Sequence, residues 1–317
     1  MSIKAKLCSL SMTAVVFAFT ASVGIAADTV CSPLIYGPDA DPSVTIPDTI
    51  IAVASNFYTP SQDMVAAFQQ TTDGRPTIIQ ICQNSTTHLM AEISDGTGLP
   101  APLLPDPGYP RYSMFFAANT SAANYGTSAY SYAKGIPVFF GLQSKIASVS
   151  NLVTGLGGGY SATITAAVTD LGPYAVNTGG SQPVAVASAA APYGVAAHTI
   201  LNGIEGTLLP GTIPSWVYPT LFSNIDLTYA AIEAGTNGIK SGFVSKAQIC
   251  DQIKGITTPA VTFVEFTGTG CTLDQKAILL KPSGDSVAAA LNSYIRGQMP
   301  PNSGWNTFLT AHCYGTL

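Results

Sequence analysis

The chain has 317 residues, a formal charge of −5 and only 9% charged residues, against roughly 25% in ordinary globular proteins, so Ser, Thr, Asn and Gln must carry its solubility. Its arginines, Arg75, Arg111 and Arg296, are scattered. No basic cluster or basic-aromatic alternation follows a phosphate backbone, which argues against nucleic acid as a partner.

Lys4 and Lys6 precede a mostly apolar stretch from Leu7 to Ala26 that ends in Gly24-Ile25-Ala26. This pattern predicts a signal peptide over 1–26, cut near Ala26, and a soluble, exported protein. Ser9, Ser11, Thr13, Thr20 and Ser22 dilute the stretch against a retained anchor. No later run reaches the roughly 18 apolar residues a span needs. What remains, about 290 residues, is long enough for two α/β lobes with separate cores. It contains Cys31, Cys82, Cys250, Cys271 and Cys313, which in an oxidising compartment read as disulfides with one cysteine left over. Cys250 with Cys271 is the first candidate pair, and Cys31 pairs with either Cys82 or Cys313. No C-x-x-C is present, and the spacing fits neither a zinc ribbon nor a haem attachment site.

Strand and helix signals alternate along the chain, which predicts an α/β class with mostly parallel strands. The apolar run Ile50-Ile-Ala-Val-Ala-Ser-Asn56 reads as a strand. Thr59 follows as a helix cap with Pro60 at the first helical position, Met64, Val65 and Phe68 on one face, and Gly74 as the stop. A second strand, Thr77 to Ser85, leads to a helix with Leu89 and Ile93 four apart, stopped at Gly96. A Pro/Gly-rich loop spans Leu99 to Pro110. Gly135 to Phe140 reads as a strand that Pro137 keeps from being an ordinary central one. Gly155-Leu-Gly-Gly-Gly159 is a loop and lacks the context of a dinucleotide site. Pro183 to Ser188 is a third strand feeding a helix from Tyr193 to Asn202. Asn224-Ile225-Asp226 opens a helix to Ala234, with Asp226 as its cap, before a short strand at Phe243-Val244. Ala277 to Leu280 is a last strand, and Asp285-Ser286 starts a helix with Val287, Leu291, Tyr294 and Ile295 on one stripe. Three strand ends thus feed helix starts through small or hydroxyl residues. Such junctions present unpaired N–H groups and the positive end of a helix dipole to an anion.

The order and wording of these segments resemble the periplasmic molybdate-binding proteins of ABC importers. The matching pieces are Val53-Ala-Ser-Asn-Phe57, Ser85-Thr-Thr-His-Leu-Met-Ala-Glu-Ile93, Tyr132-Ala-Lys-Gly135, Ala191-Pro-Tyr-Gly-Val-Ala-Ala197, Asn224-Ile225 with Thr228-Tyr229, Gly242-Phe-Val244 and Lys276-Ala-Ile-Leu-Leu280. The resemblance implies a type II periplasmic-binding-protein fold, two Rossmann-like lobes joined by a hinge, with lobe 1 over 27–133 and 261–317 and lobe 2 over 134–260. It implies a monomer that holds a small oxyanion, molybdate or tungstate, between the lobes and passes it to a membrane permease, with no cofactor and no chemistry of its own. Carried over by position, the ligand contacts fall on Ser55, Asn56 and Ser85 in lobe 1 and on Tyr193 and Ile225 in lobe 2. Ser245 stands where some members place a tyrosine.

A site made only of donors suits a tetrahedral dianion, since each charge-assisted bond contributes roughly 1.5–3 kcal/mol. Other readings remain open. Ser55, Asn56 and Ser85 also suit turn or capping roles. Cys82, His88 and Met90 form a soft-metal alternative, with copper(I) as the ion. His88, His198 and His312 otherwise read as helix-surface or tail residues. The cysteines, the 28–49 extension and the tail from Gln298 to Leu317 depart from the family pattern, which leaves room for an organic solute or for a secreted sensing or adhesion module. No nucleophile elbow, His-Glu-x-x-His helix or phosphate-loop lysine supports an enzyme.

Overall fold

The computed structural model describes residues 29–95, 112–119, 124–126, 129–142, 184–205, 221–257, 260–266, 272–280, 284–299 and 304–317. The signal-peptide region, the Pro/Gly-rich loop, the glycine-rich turn near Gly157, and Gly96 and Cys271 lie outside these residues. The chain divides into a first unit, Ala27–Gly135 with Asp274–Leu317, and a second unit containing Ile136–Leu273. Among the described residues no helix is long and apolar enough to cross a membrane.

The first unit opens with β1 (Val30–Cys31), β2 (Ile35–Tyr36) and β3 (Thr49–Ala54). β3 reads Thr-Ile-Ile-Ala-Val-Ala without polar alternation, and all six residues are buried, as a strand covered on both faces requires. The chain leaves β3 through a 3-10 turn, Ser55–Phe57, straight into α1 (Tyr58–Phe68). The helix therefore starts at Tyr58, not after a Thr59 cap. Phe57 takes the cap position without a side-chain bond, and Pro60 falls inside the first turn, where its missing N–H has no intrahelical partner to lose. Met64, Val65 and Phe68 form the buried face. Beyond the helix end, a Cβ on Gly74 would stand 2.2 Å from the Phe68 carbonyl oxygen, so only glycine lets the chain double back there.

β4 (Ile78–Asn84) then runs parallel to β3, with Thr49 opposite Ile79 and Ala54 opposite Asn84. It feeds α2 (Thr86–Asp95), whose Leu89 is fully buried. β5 (Met114–Ala117) pairs in parallel on the other side of β3, and β6 (Tyr130–Gly135) closes this stretch. β1 and β2 both pair antiparallel with β4. Cys31 lies opposite Cys82 in that register, and the two form a disulfide across 51 residues. That pairing settles the partner of Cys31. It also removes the thiolate that the soft-metal reading of Cys82, His88 and Met90 required.

The second unit contributes β7 (Pro137–Leu142), β8 (Val184–Ala185), α3 (Pro192–Glu205), α4 (Ile225–Ala234), β9 (Ser241–Ser245), the short α5 (Cys250–Ile253) and β10 (Val261–Glu265). Its strand order is β10-β7-β9-β8. β7 is thus interior, and Pro137 is tolerated because it is the first residue of the strand. Gly242 lies inside β9, where a Cβ would meet the Ala185 carbonyl oxygen at 2.4 Å, so the close approach of β8 needs it. β10 pairs with β7 from Val261↔Leu142 to Glu265↔Val138. The expected return to the first lobe at 261 is therefore corrected: residues 261–265 complete the second unit's sheet, and the return follows Leu273.

β11 (Leu273–Leu279) re-enters the first sheet between β5 and β6, antiparallel to β5 with Lys276 opposite Ala117. The sheet order is β1-β4-β3-β5-β11-β6. α6 (Ser286–Gln298), capped by Asp285 accepting from the Ala288 N–H at 2.8 Å, and α7 (Gly304–Ala311) complete the unit. The expectation of mostly parallel strands is also corrected. β3/β4, β3/β5 and β8/β9 are parallel, whereas β1/β4, β2/β4, β5/β11, β7/β9 and β7/β10 are antiparallel. Strands contributed by the N-terminal extension and by the chain's passage between units enter without a crossover helix. Cys250 and Cys313 are also disulfide-bonded, and no described cysteine is free.

Candidate functional site

In the first unit, three strands end at one edge of the sheet. β3 leads to β4 on one side, and the chain then crosses to β5 on the other, so the connections diverge at the carboxyl end of β3. Such a switch point leaves a crevice outside the strand ends in open α/β sheets. Ala54 and Asn84 are register partners, so Ser55 and Ser85, the residues that follow them, leave neighbouring strands at the same level.

The two serines do different things there. Ser85 is tied into α2: its Oγ accepts from the His88 N–H at 3.1 Å, its carbonyl accepts from Leu89 N–H, and its own N–H donates to Asn84 Oδ1 at 2.7 Å. This is an N-cap. Ser55 is 8% exposed, and its Oγ is buried without any hydrogen-bond partner. A buried hydroxyl in that state costs roughly 1–3 kcal/mol, so it needs an explanation, and a bound polar ligand is one. Thr86, next to Ser85, accepts from the Ala118 N–H at 3.0 Å and links the end of β5 to the same corner.

Asn56 does not present its side chain to a ligand. It is 3% exposed, and its Nδ2 donates to Gln275 Oε1 at 3.1 Å and to Tyr314 OH at 2.8 Å. Both amide hydrogens are used inside the unit. The resemblance places a ligand contact at Asn56, and the structure commits its side-chain amide hydrogens to Gln275 and Tyr314. The arginines are committed elsewhere or lie outside the description: Arg75 pairs with Asp39, the Arg296 guanidinium lies 5.5 Å from the Tyr130 ring centre, and Arg111 is not among the described residues.

In the second unit, the structure brings together residues far apart in sequence. The N-terminus of α3 follows β8, with Ser188 N–H donating to the Phe222 carbonyl at 2.7 Å and so joining the approach to α4. Tyr193 is 4% exposed, and its hydroxyl accepts from Ser245 Oγ at 3.0 Å. Ser245 N–H donates to Gln248 Oε1 at 3.2 Å, and Gln248 Nε2 donates to Asp226 Oδ1 at 2.6 Å. Tyr193, Ser245 and the first turn of α4 are thus one hydrogen-bonded cluster. Ile225 is the first residue of α4 and is buried. The cap of α4 is Asn224, whose Oδ1 accepts from the Leu227 N–H at 2.9 Å, so the expectation that Asp226 caps this helix is corrected. Asp226 lies two residues past the cap, inside the first turn, and receives Gln248 instead.

Ser223 and Gln248 did not stand out in the sequence. Ser223 Oγ is buried and unpartnered immediately before the cap. A hydroxyl preceding Asn-Ile at a helix start is a signal too common to single it out alone. The sequence places His198 on a helix surface, yet its Nε2 is buried without a partner, and burial holds its pKa below the ordinary histidine value. Among the described residues no group of three or more His, Cys, Asp or Glu side chains could hold a metal ion.

No family model and no curated protein matches the sequence. Solved structures do resemble the fold. The substrate-binding protein of an ABC transporter from Agrobacterium tumefaciens aligns over 85% of this chain and 79% of its own at TM-score 0.54 and 9% identity. A peroxide-bound cysteine-to-serine variant of OxyR from Corynebacterium glutamicum aligns over 84% and 66% at TM-score 0.50 and 12% identity. A domain described as the substrate-binding domain of a molybdenum ABC transporter from Clostridium difficile aligns over 85% and 98% at TM-score 0.45 and 12% identity. The chain has the two-lobed α/β fold of type II periplasmic-binding-like domains, a fold shared by the OxyR structure.

Proposed function

We propose that this chain is an exported solute-binding protein of an ABC importer that captures a small oxyanion, molybdate or tungstate, and delivers it to a membrane permease without covalent chemistry. The observation that carries this reading is Ser55 Oγ, a buried donor without a partner at the carboxyl end of β3. It supports an anion because the free donor lies at a strand end that leads into a helix, beside the capped start of a second one. The likeness of fold to a transporter's binding protein favours a small ligand and a permease, and the resemblance of the sequence segments favours molybdate within that class.

The test is calorimetry and thermal shift on the mature protein with molybdate, tungstate, sulfate and phosphate. Saturable binding of molybdate or tungstate, weakened in Ser55→Ala, is the expected result. Silence towards every oxyanion would overturn the assignment and leave a sensing or adhesion module of the same fold.

A further inference from the structure

Tyr314 is 5% exposed, and its hydroxyl grips the residue after Ser55 twice. It donates to the Asn56 carbonyl at 2.6 Å and accepts from Asn56 Nδ2 at 2.8 Å. The other Nδ2 hydrogen goes to Gln275 Oε1, which also accepts from Tyr132 OH at 2.6 Å. Gln275 and Tyr132 are fully buried. The segment carrying Tyr314 is itself pinned. Lys134 and Gly315 exchange backbone bonds at 3.1 and 2.8 Å, and Trp305 Nε1 donates to the Tyr132 carbonyl at 2.6 Å.

Fold stability alone does not call for this arrangement. An apolar plug of the same volume would bury Phe57, whose ring already lies 4.6 Å from Tyr132 and 5.2 Å from Phe116, without desolvating the polar groups of Asn56, Gln275, Tyr132 and Tyr314. What the polar arrangement adds is direction. Holding the Asn56 carbonyl fixes the plane of the peptide that follows it, and holding the side chain fixes the residue between that plane and Ser55. We infer that Tyr314, acting through Asn56 and together with Gln275, is a positioning residue that aims the Ser55 hydroxyl, so that the C-terminal segment sets affinity for the anion without touching it. This rests on the oxyanion reading of Ser55.

The experiment compares wild type, Tyr314→Phe and Ile295→Val. Tyr314→Phe keeps the ring and loses both bonds. Ile295→Val, a change at a fully buried residue of α6, is a control for general destabilisation. Molybdate affinity is read by calorimetry well below the melting temperature. Exchange of the Tyr58 amide, which is bonded to the Ser55 carbonyl, is read without ligand. Binding weakened roughly ten-fold or more in Tyr314→Phe and unchanged in Ile295→Val is expected, a loss typical of removing an outer partner of a binding group. Wild-type affinity in Tyr314→Phe would overturn the inference. If wild type itself ignores molybdate, the oxyanion reading fails, and exchange then decides. Faster Tyr58 exchange in Tyr314→Phe but not in Ile295→Val upholds the positioning role, and equal exchange rejects it.

Discussion

Ser55 and Ser85 look alike in the sequence, each a serine between a strand and a helix, and they differ in what their oxygens do. Ser85→Ala removes a cap, so it should lower stability by about 1 kcal/mol in urea unfolding. Ser55→Ala removes a hydroxyl that has no partner in the free protein, so its melting temperature should hold or rise, while under the oxyanion proposal molybdate affinity falls. A matched loss of stability in both variants would show Ser55 to be structural. His198 gives a prediction in pH. Burial depresses its pKa, so below the unfolded value of about 6.5 the unfolded chain takes a proton that the folded chain refuses. Stability should therefore fall as the pH drops from about 6.5 towards the depressed folded value, and the loss should be smaller in His198→Gln, measured by urea midpoints across that window. At this scale the sequence could point to Ser55 and Ser85 but not tell them apart. Whether an oxygen is satisfied depends on neighbours brought in by folding, as Asn56 shows, whose partners lie 219 and 258 residues away.

Among the elements, β3 and β4 were legible because continuous apolar runs ending in small polar residues have few other solutions. β5 and β10 were not. Met114–Ala117 is four residues long, and Val261–Glu265 interleaves Thr and Glu among apolar residues; only pairing with β3 and β7 makes strands of them. β1 and β2 are two residues each and depend on β4 for their form. The Cys31–Cys82 bond fastens them there, and a closed loop of this length stabilises by about 4 kcal/mol on the chain-entropy estimate. The Cys31→Ala/Cys82→Ala variant should lose about 2–4 kcal/mol in urea unfolding, with early exchange of the β4 amides. Gly242→Ala should separate β8 from β9, because the new methyl meets backbone at 2.4 Å. Gly297→Ala, in α6 with nothing within 4 Å of the added carbon, should instead stabilise by about 0.5–1 kcal/mol. The opposite signs are the check.

For the whole molecule, the division into two units follows from where the chain leaves and re-enters a sheet. The described residues of the second unit all fall between Ile136 and Leu273, whereas the first cannot complete its sheet until β11 arrives between β5 and β6. A fragment spanning 136–273 should therefore unfold cooperatively in urea, and one spanning 27–135 should not. The alternation of strands and helices announces the α/β class, but nothing in Val261–Glu265 says which sheet it joins, so the point of return is not legible in the sequence.

The place of β11 also makes the molecule divisible. Without it, β5 and β6 would face one another across about 9–10 Å, twice the spacing of neighbouring strands, a vacancy shaped for one added strand. A peptide covering 272–317 carries that strand together with Gln275, Trp305 and Tyr314. Supplied in trans to a chain ending at 266, it would restore sheet and brace in one step, and the regained folding of the first unit would report on the peptide.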